Sequence, residues 1–225
     1  QNALVDYAAT VAGPARSEIG DTEFNMYLND PDHFWDKQDD VFWGNPGGAK
    51  NTGRALNGLK SAYKAGKPVV FRGVIQRGDW EHHAAEIAPP GGGKHIGFMV
   101  KMNFAKIADG TSKTLLAGDK FVHTTQAGGE PGVPAEDVGW SDGWDFGVLR
   151  STLTHPRNDS EGLPVVPPPN DHYDLGNYSL GAAHPGGFNV VLADGSVRGL
   201  SYDVDLETLN RLGHRSDGET ITVDY

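Results

Sequence analysis

The sequence predicts an α+β fold, mainly antiparallel β-sheet with long loops and short helices, and three observations carry that expectation. Short β-branched and aromatic runs are bounded by Gly, Pro and Asp turn signals. An Asp-Gly pair sits between two apolar runs near the C-terminus. Glycine (31) and proline (14) recur through the 225 residues, too often for long helices to survive. Single cores stop growing near ~250–300 residues, so one domain is the simplest division. Within it, residues 1–66 read as an irregular excursion and 67–225 as the sheet core.

Taken in order, the segment FNMYLNDPDHFWDKQDDVFWGNPGG mixes aromatic and acidic residues with Asn-Asp-Pro and Asn-Pro-Gly-Gly turns, and predicts irregular structure. Residues 54–65 place Leu56, Leu59 and Tyr63 at helical spacing before Gly66, which suits a short helix. Residues 67–76, with the run VVFRGVI, read as a strand, and HIGFMVKM at 95–102 as a second. Between them Pro-Pro-Gly-Gly-Gly at 89–93 marks a loop.

A short helical turn at 105–107 and an Asp109-Gly110 turn precede a strand over 115–122. Gly- and Pro-rich loops follow, with Trp140, Trp144 and Phe146 as their core contribution. FNVVLADGSVRGLSY predicts a hairpin with a two-residue Asp194-Gly195 loop, residues 193 and 196 facing each other. Asp205 is placed to cap a helix whose Leu206, Leu209 and Leu212 share one face, with Gly213 as its left-handed stop. ETITVDY reads as a last strand.

Composition excludes several classes of function. The net charge is −11 and basic residues are scattered, so a phosphate backbone is repelled and nucleic acid is an unsuitable partner. Without cysteine there is no disulfide, thiolate nucleophile or thiolate-bound zinc. No run approaches the ~20 apolar residues of a membrane helix, and QNALVDYAAT lacks the parts of a signal peptide.

Several segments resemble a family of planctomycete-type pseudopilin-like proteins of unknown function. Its C-terminal mark, a His, nine residues, then Asp-Gly, corresponds to His184, PGGFNVVLA, Asp194 and Gly195. Its Asp-Gly-Thr-Ser-Asn-Thr-Leu-Leu segment corresponds to DGTSKTLL at 109–116, beginning Asp109-Gly110, with Lys113 in place of Asn. GWSDGWD at 139–145 and VRGLSYDVDLETLNRLGHRSDGE are also similar. The resemblance implies a pilin-like globular head, exported to the cell surface and anchored through an N-terminal helix that this chain lacks. It implies side-by-side assembly as a homo-oligomer or with related pilin-like subunits, and it transfers no catalytic residue.

Each candidate site has a structural alternative. Asp194 and Gly195 read as the turn and His184 as fixing the Pro-Gly-Gly bend at the other end of the strand, too far from Asp194 for the two to share an ion. Asp171, His172, Asp174 and His184 offer nitrogen and oxygen donors suited to a transition metal, but without a recognised spacing. Asp137, Asp142 and Asp145 around Gly143 are the best oxygen-only group for calcium, although the segment is not an EF-hand loop. His82 and His83 are adjacent, and their rings therefore point apart rather than forming the i, i+4 pair of a zinc helix.

Ser141 in GWSDG has the Gly-x-Ser-x-Gly spacing of a nucleophile elbow without the surrounding α/β pattern. Trp35, Trp43, Trp140 and Trp144 amid Asp and Asn offer faces for glycans, or else core packing. The expectation is an exported structural subunit without catalysis or a required cofactor. A glycan- or calcium-binding module comes second and a hydrolase using Ser141 or a loop histidine third.

Overall fold

A computed structural model describes residues 6–29, 71–78, 80–82, 93–95, 97, 99–124, 144, 147–161, 178–219 and 221. Its centre is a five-stranded sheet in the order β5-β1-β4-β8-β9. These strands are β1 (Tyr7–Val11), β4 (Leu115–Asp119), β5 (Leu149–Ser151), β8 (Phe188–Leu192) and β9 (Val197–Leu200). Two-stranded ladders join β2 (Trp80–His82) to β3 (Gly93–His95), and β6 (Arg157–Asn158) to β7 (Gly181–Ala182). The helices among the described residues are short: α1 (Arg16–Ile19), α2 (Asp21–Asn29) and α3 (Leu206–Gly213). The architecture is therefore α+β with sheet dominant, as expected. Among the described residues no helix is long and apolar enough to cross a membrane.

The main sheet is mostly antiparallel, as expected, and two of its features are not foreseen by the sequence. The sheet is mixed, because β1 and β5 run parallel, from Ala9 opposite Leu149 to Val11 opposite Ser151. A parallel pair needs a long crossover, and well over a hundred residues separate these strands in sequence. The irregular excursion expected over 1–66 contains β1, an interior strand of the sheet, followed by α1 and α2. Small residues at Ala8 and Ala9 hide this strand from a search for bulky β-formers. The helix expected at 54–65 lies outside the described residues.

β8 shows why its sequence is a strand. Phe188, Val190 and Leu192 alternate into the core, while Asn189 faces out. Each such buried apolar side chain contributes about 1.5–3 kcal/mol. Across the core α3 supplies Leu206, Leu209 and Leu212, and α2 supplies Phe24. The Asp205 carboxylate accepts from the Thr208 N–H at 2.8 Å, as its capping role requires. Arg16 holds α1 to α3 through a two-pronged contact with Glu207 (3.0 and 2.6 Å), its guanidinium lying over the Phe24 ring.

The hairpin forms with a different loop. Gly195 N–H donates to Leu192 O and Leu192 N–H to Ser196 O, both at 2.9 Å, so three residues form the turn and Phe188 opposes Leu200. Gly195 takes φ 85°, the left-handed residue of a bulge-closed three-residue turn. The Asp194 carboxylate accepts from the Ser196 N–H and hydroxyl at 2.8 and 2.7 Å, which favours this closure over the two-residue form.

Gly213 is the last residue of α3 and does not adopt positive φ; the helix ends at His214 in extended backbone. Its smallness serves packing instead, since a Cβ there would lie 2.6 Å from Thr152 Cγ2 and Oγ1.

Residues 71–76, expected to form a strand, are irregular where described. Arg215 takes up their carbonyls: its N–H donates to Arg72 O, and Nη1 donates to Phe71 O and Gly73 O. Among the described residues of 95–102 only His95 is in a strand, and Gly97 adopts φ 104°. At the C-terminus Glu219 and Ile221 are irregular, while 220 and 222–225 lie outside the described residues. The expected turns hold at Phe104–Lys106 and after Asp109, and β4 spans 115–119 of the expected 115–122. Trp144 packs edge-on against Phe71 at 5.1 Å; Trp140 and Phe146 are outside the described residues.

Candidate functional site

At the end of the sheet where β8 begins, a cleft of about 440 Å³ is lined by Asp6, Tyr7, Asp119, Asp159, His184 and Asn189 among others. Each comes from a different part of the chain. Asp6 and Tyr7 stand at the start of β1, Asp119 ends β4, Asp159 follows β6, His184 follows β7, and Asn189 lies in β8. The Asp119 carboxylate, 8% exposed, accepts from the Asn189 backbone N–H at 2.8 Å and from its Nδ2 at 3.1 Å. Asp159 Oδ1 accepts from the Val122 N–H at 3.0 Å.

Burial raises the Asp159 carboxyl above its ordinary range, and the charges of Asp119 and Asp6 push the same way against the opposing Val122 N–H and His123. The wall is therefore acidic, and one of its members gains from protonation or from a bound cation.

His184 itself is exposed, and its backbone carbonyl rather than its ring carries the hydrogen bonds found among the described residues. That carbonyl accepts from the Tyr202 hydroxyl at 2.7 Å and from Asn158 Nδ2 at 2.9 Å. Tyr202 stacks on Phe188, with ring centroids 6.0 Å apart. Burial raises the Tyr202 phenol, keeping it a proton donor. The bend after His184 needs Gly187, at φ 151°, where a Cβ would meet Leu200 O at 2.1 Å.

Asp194 and Gly195 lie at the opposite end of β8, separated from the His184 end by about 13 Å of extended strand. The tip rests on the 109–116 segment: Asp194 N–H donates to Thr111 O at 3.0 Å and Ala193 N–H to Thr114 O at 2.8 Å. In that segment Gly110 takes φ 99° and leads into the Thr111–Lys113 turn. Asp109 accepts from the Asp217 N–H at 2.7 Å and the Gly218 N–H at 3.0 Å. Thus Asp109, Gly110, Asp194 and Gly195 gather at one end and His184 at the other. Asp137, Asp142, Asp145, Ser141, Asp171, His172, Asp174 and His83 lie outside the described residues, as do Trp35, Trp43 and Trp140; His82 is placed in β2.

A family model described as SBP_bac_10, "Protein of unknown function (DUF1559)", matches residues 7–207. The chain belongs to this family. No curated protein and no solved structure matches the chain. The DUF1559 match begins at the first residue of β1 and ends in the first turn of α3, so all five strands of the main sheet fall within it. Of the six cleft residues named, only Asp6 precedes the DUF1559 span. His214 and Asp217, which stand next to Asp109, follow it.

That Asp119 and Asp159 line one cleft with His184 was not legible in the sequence. Each reads locally as a strand end or a turn, and only the order of β4 beside β8, with β7 beside β6, brings them together.

Proposed function

We propose that this chain is the head of an exported, pseudopilin-like structural subunit that assembles with copies of itself or with related subunits at the cell surface, and that it performs no catalysis. The ordered segments that resemble pseudopilin-like proteins motivate the reading, and two of them interlock, the hairpin tip sitting on the turn of 109–116. The observation that carries it is the outer strand of the sheet. β9 pairs with β8 alone among the described strands, and Val197, Arg198 and Gly199 are exposed, Val197 at 57%. An edge that no other described strand covers, carrying an exposed apolar side chain, is a surface on which a second subunit can align.

The absence of cysteine makes a direct test available. Val197→Cys in the full-length protein, expressed in its own cells and treated with a short bis-maleimide, is expected to give cross-linked dimers in the sheared surface fraction. A protein found only inside the cell, or only as a monomer at the surface, refutes the proposal.

The acidic cleft favours a second reading, an extracellular module binding calcium or glycan beside His184. Isothermal titration with calcium and with a glycan panel tests it; no heat from any ligand eliminates it.

A further inference from the structure

The fold brings together three side chains far from the His184 cleft. Asp109 leads the Thr111–Lys113 turn, while His214 and Asp217 follow α3, and one ligand atom from each lies within 4.8 Å of the other two. Backbone hydrogen bonds fix the arrangement. Asp109 N–H donates to Arg215 O at 3.2 Å, and the Asp109 carboxylate accepts from the N–H groups of Asp217 and Gly218. Gly218, at φ 74°, lets the chain turn around that carboxylate.

Among the described residues, two atoms in this group have no partner within hydrogen-bond distance. His214 is only 4% exposed; its Nδ1 accepts from the Ser216 N–H at 3.4 Å, and its buried Nε2 has no group within hydrogen-bond distance, the Glu18 carboxylate approaching to 3.7 Å. Asp217 uses Oδ1 to accept from the Glu219 N–H at 2.8 Å, but Oδ2 is buried and unsatisfied. Leaving buried polar atoms unpaired is unfavourable, and a bound cation would relieve a carboxylate oxygen and an imidazole nitrogen together. The cations nearby do not relieve them: Arg72 donates to Glu18 at 2.6 Å, and Arg215 donates to the carbonyls of Phe71 and Gly73. Glu18 Oε2, 3.7 Å from His214 Nε2, adds a further negative charge beside the group.

We propose that Asp109, His214 and Asp217 form a binding site for a divalent transition-metal ion, with zinc the best match. One imidazole nitrogen and two carboxylate oxygens make a three-ligand set that leaves a position for water. Calcium and magnesium, which take oxygen ligands, suit it less well. This inference is independent of the assembly proposal, since it concerns a different end of the sheet from the His184 cleft and none of its residues lies in β9.

Chelator-treated protein is titrated with zinc and with cobalt by calorimetry, with stoichiometry read by native mass spectrometry and cobalt coordination by visible absorption. The expected result is one ion per chain, no displacement by excess calcium or magnesium, and binding weakened by about tenfold or more in both Asp109→Asn and Asp217→Asn. Circular dichroism checks that these variants are folded. His155→Asn, at an exposed histidine outside the group, is expected to bind as wild type.

Failure of the wild-type protein to take up zinc or cobalt overturns the proposal even if a variant does not fold. Wild-type affinity in both folded Asp variants, or loss of binding in His155→Asn, overturns it equally.

Discussion

Asn210 links three parts of the fold, and its removal tests how the helix is seated on the sheet. The side chain is 1% exposed in α3. Oδ1 accepts from the Gly13 N–H at 2.8 Å and from Thr152 Oγ1 at 3.1 Å, while Nδ2 donates to Pro14 O at 3.0 Å. It therefore satisfies the backbone just after β1 and a side chain just after β5.

Asn210→Ala removes three hydrogen bonds at about 1 kcal/mol each and leaves the buried Gly13 N–H and Pro14 carbonyl unpaired. Alanine recovers about 0.5 kcal/mol of helix propensity. The net expectation is a loss of about 3–5 kcal/mol, a large part of the ~5–15 kcal/mol typical of a folded protein. Urea unfolding followed by circular dichroism should show a midpoint lowered by about 1.5–2.5 M at an unchanged slope, taking that slope as about 2 kcal/mol/M.

Thr152→Val should cost less, because its hydroxyl is one partner among three, and the double mutant should show positive coupling. A loss below about 1 kcal/mol for Asn210→Ala, or strict additivity with Thr152→Val, refutes the reasoning.

Two further outcomes follow from packing and charge. Gly213→Ala should destabilise by about 1–3 kcal/mol despite alanine's helix preference, because the new methyl meets Thr152 at 2.6 Å, and Thr152→Ala in the same chain should recover part of the loss; a neutral result by thermal melting contradicts the close approach. Burial acts to raise the Glu18 carboxyl, but nearby His214, the Arg72 guanidinium and the Ala15 N–H outweigh it and hold it at about 2. A carboxyl depressed on folding contributes stability above its unfolded value of about 4.5, and that contribution is lost as pH falls from there toward 2. Glu18→Gln should flatten the acid limb of a stability-against-pH curve in that window, and an unchanged limb would show that the pairing is not energetically coupled to folding.

What the sequence determined by itself was local. The alternation of Phe188, Val190 and Leu192, the Asp-Gly turn, the Asp205 cap and the leucine face of α3 each rest on interactions within a few residues, so pattern alone reveals them. Tertiary structure decided the rest. It made β1 an interior strand, because its alanines are selected by close neighbours rather than by strand propensity. It held 71–76 irregular because Arg215 consumes carbonyls a ladder would use, and it replaced a two-residue turn by three residues closed on Gly195.

The sites followed the same division. His184 and Asp109 were visible as residues of marked segments, but their neighbours were not. Asp119 and Asp159 come to line one cleft with His184 through strand order, and His214 and Asp217 reach Asp109 across 105 and 108 positions of chain, separations over which spacing carries no information about distance. A side chain's chemistry is written in its type; the partners that unpair, charge or bury it are set by which strands lie side by side.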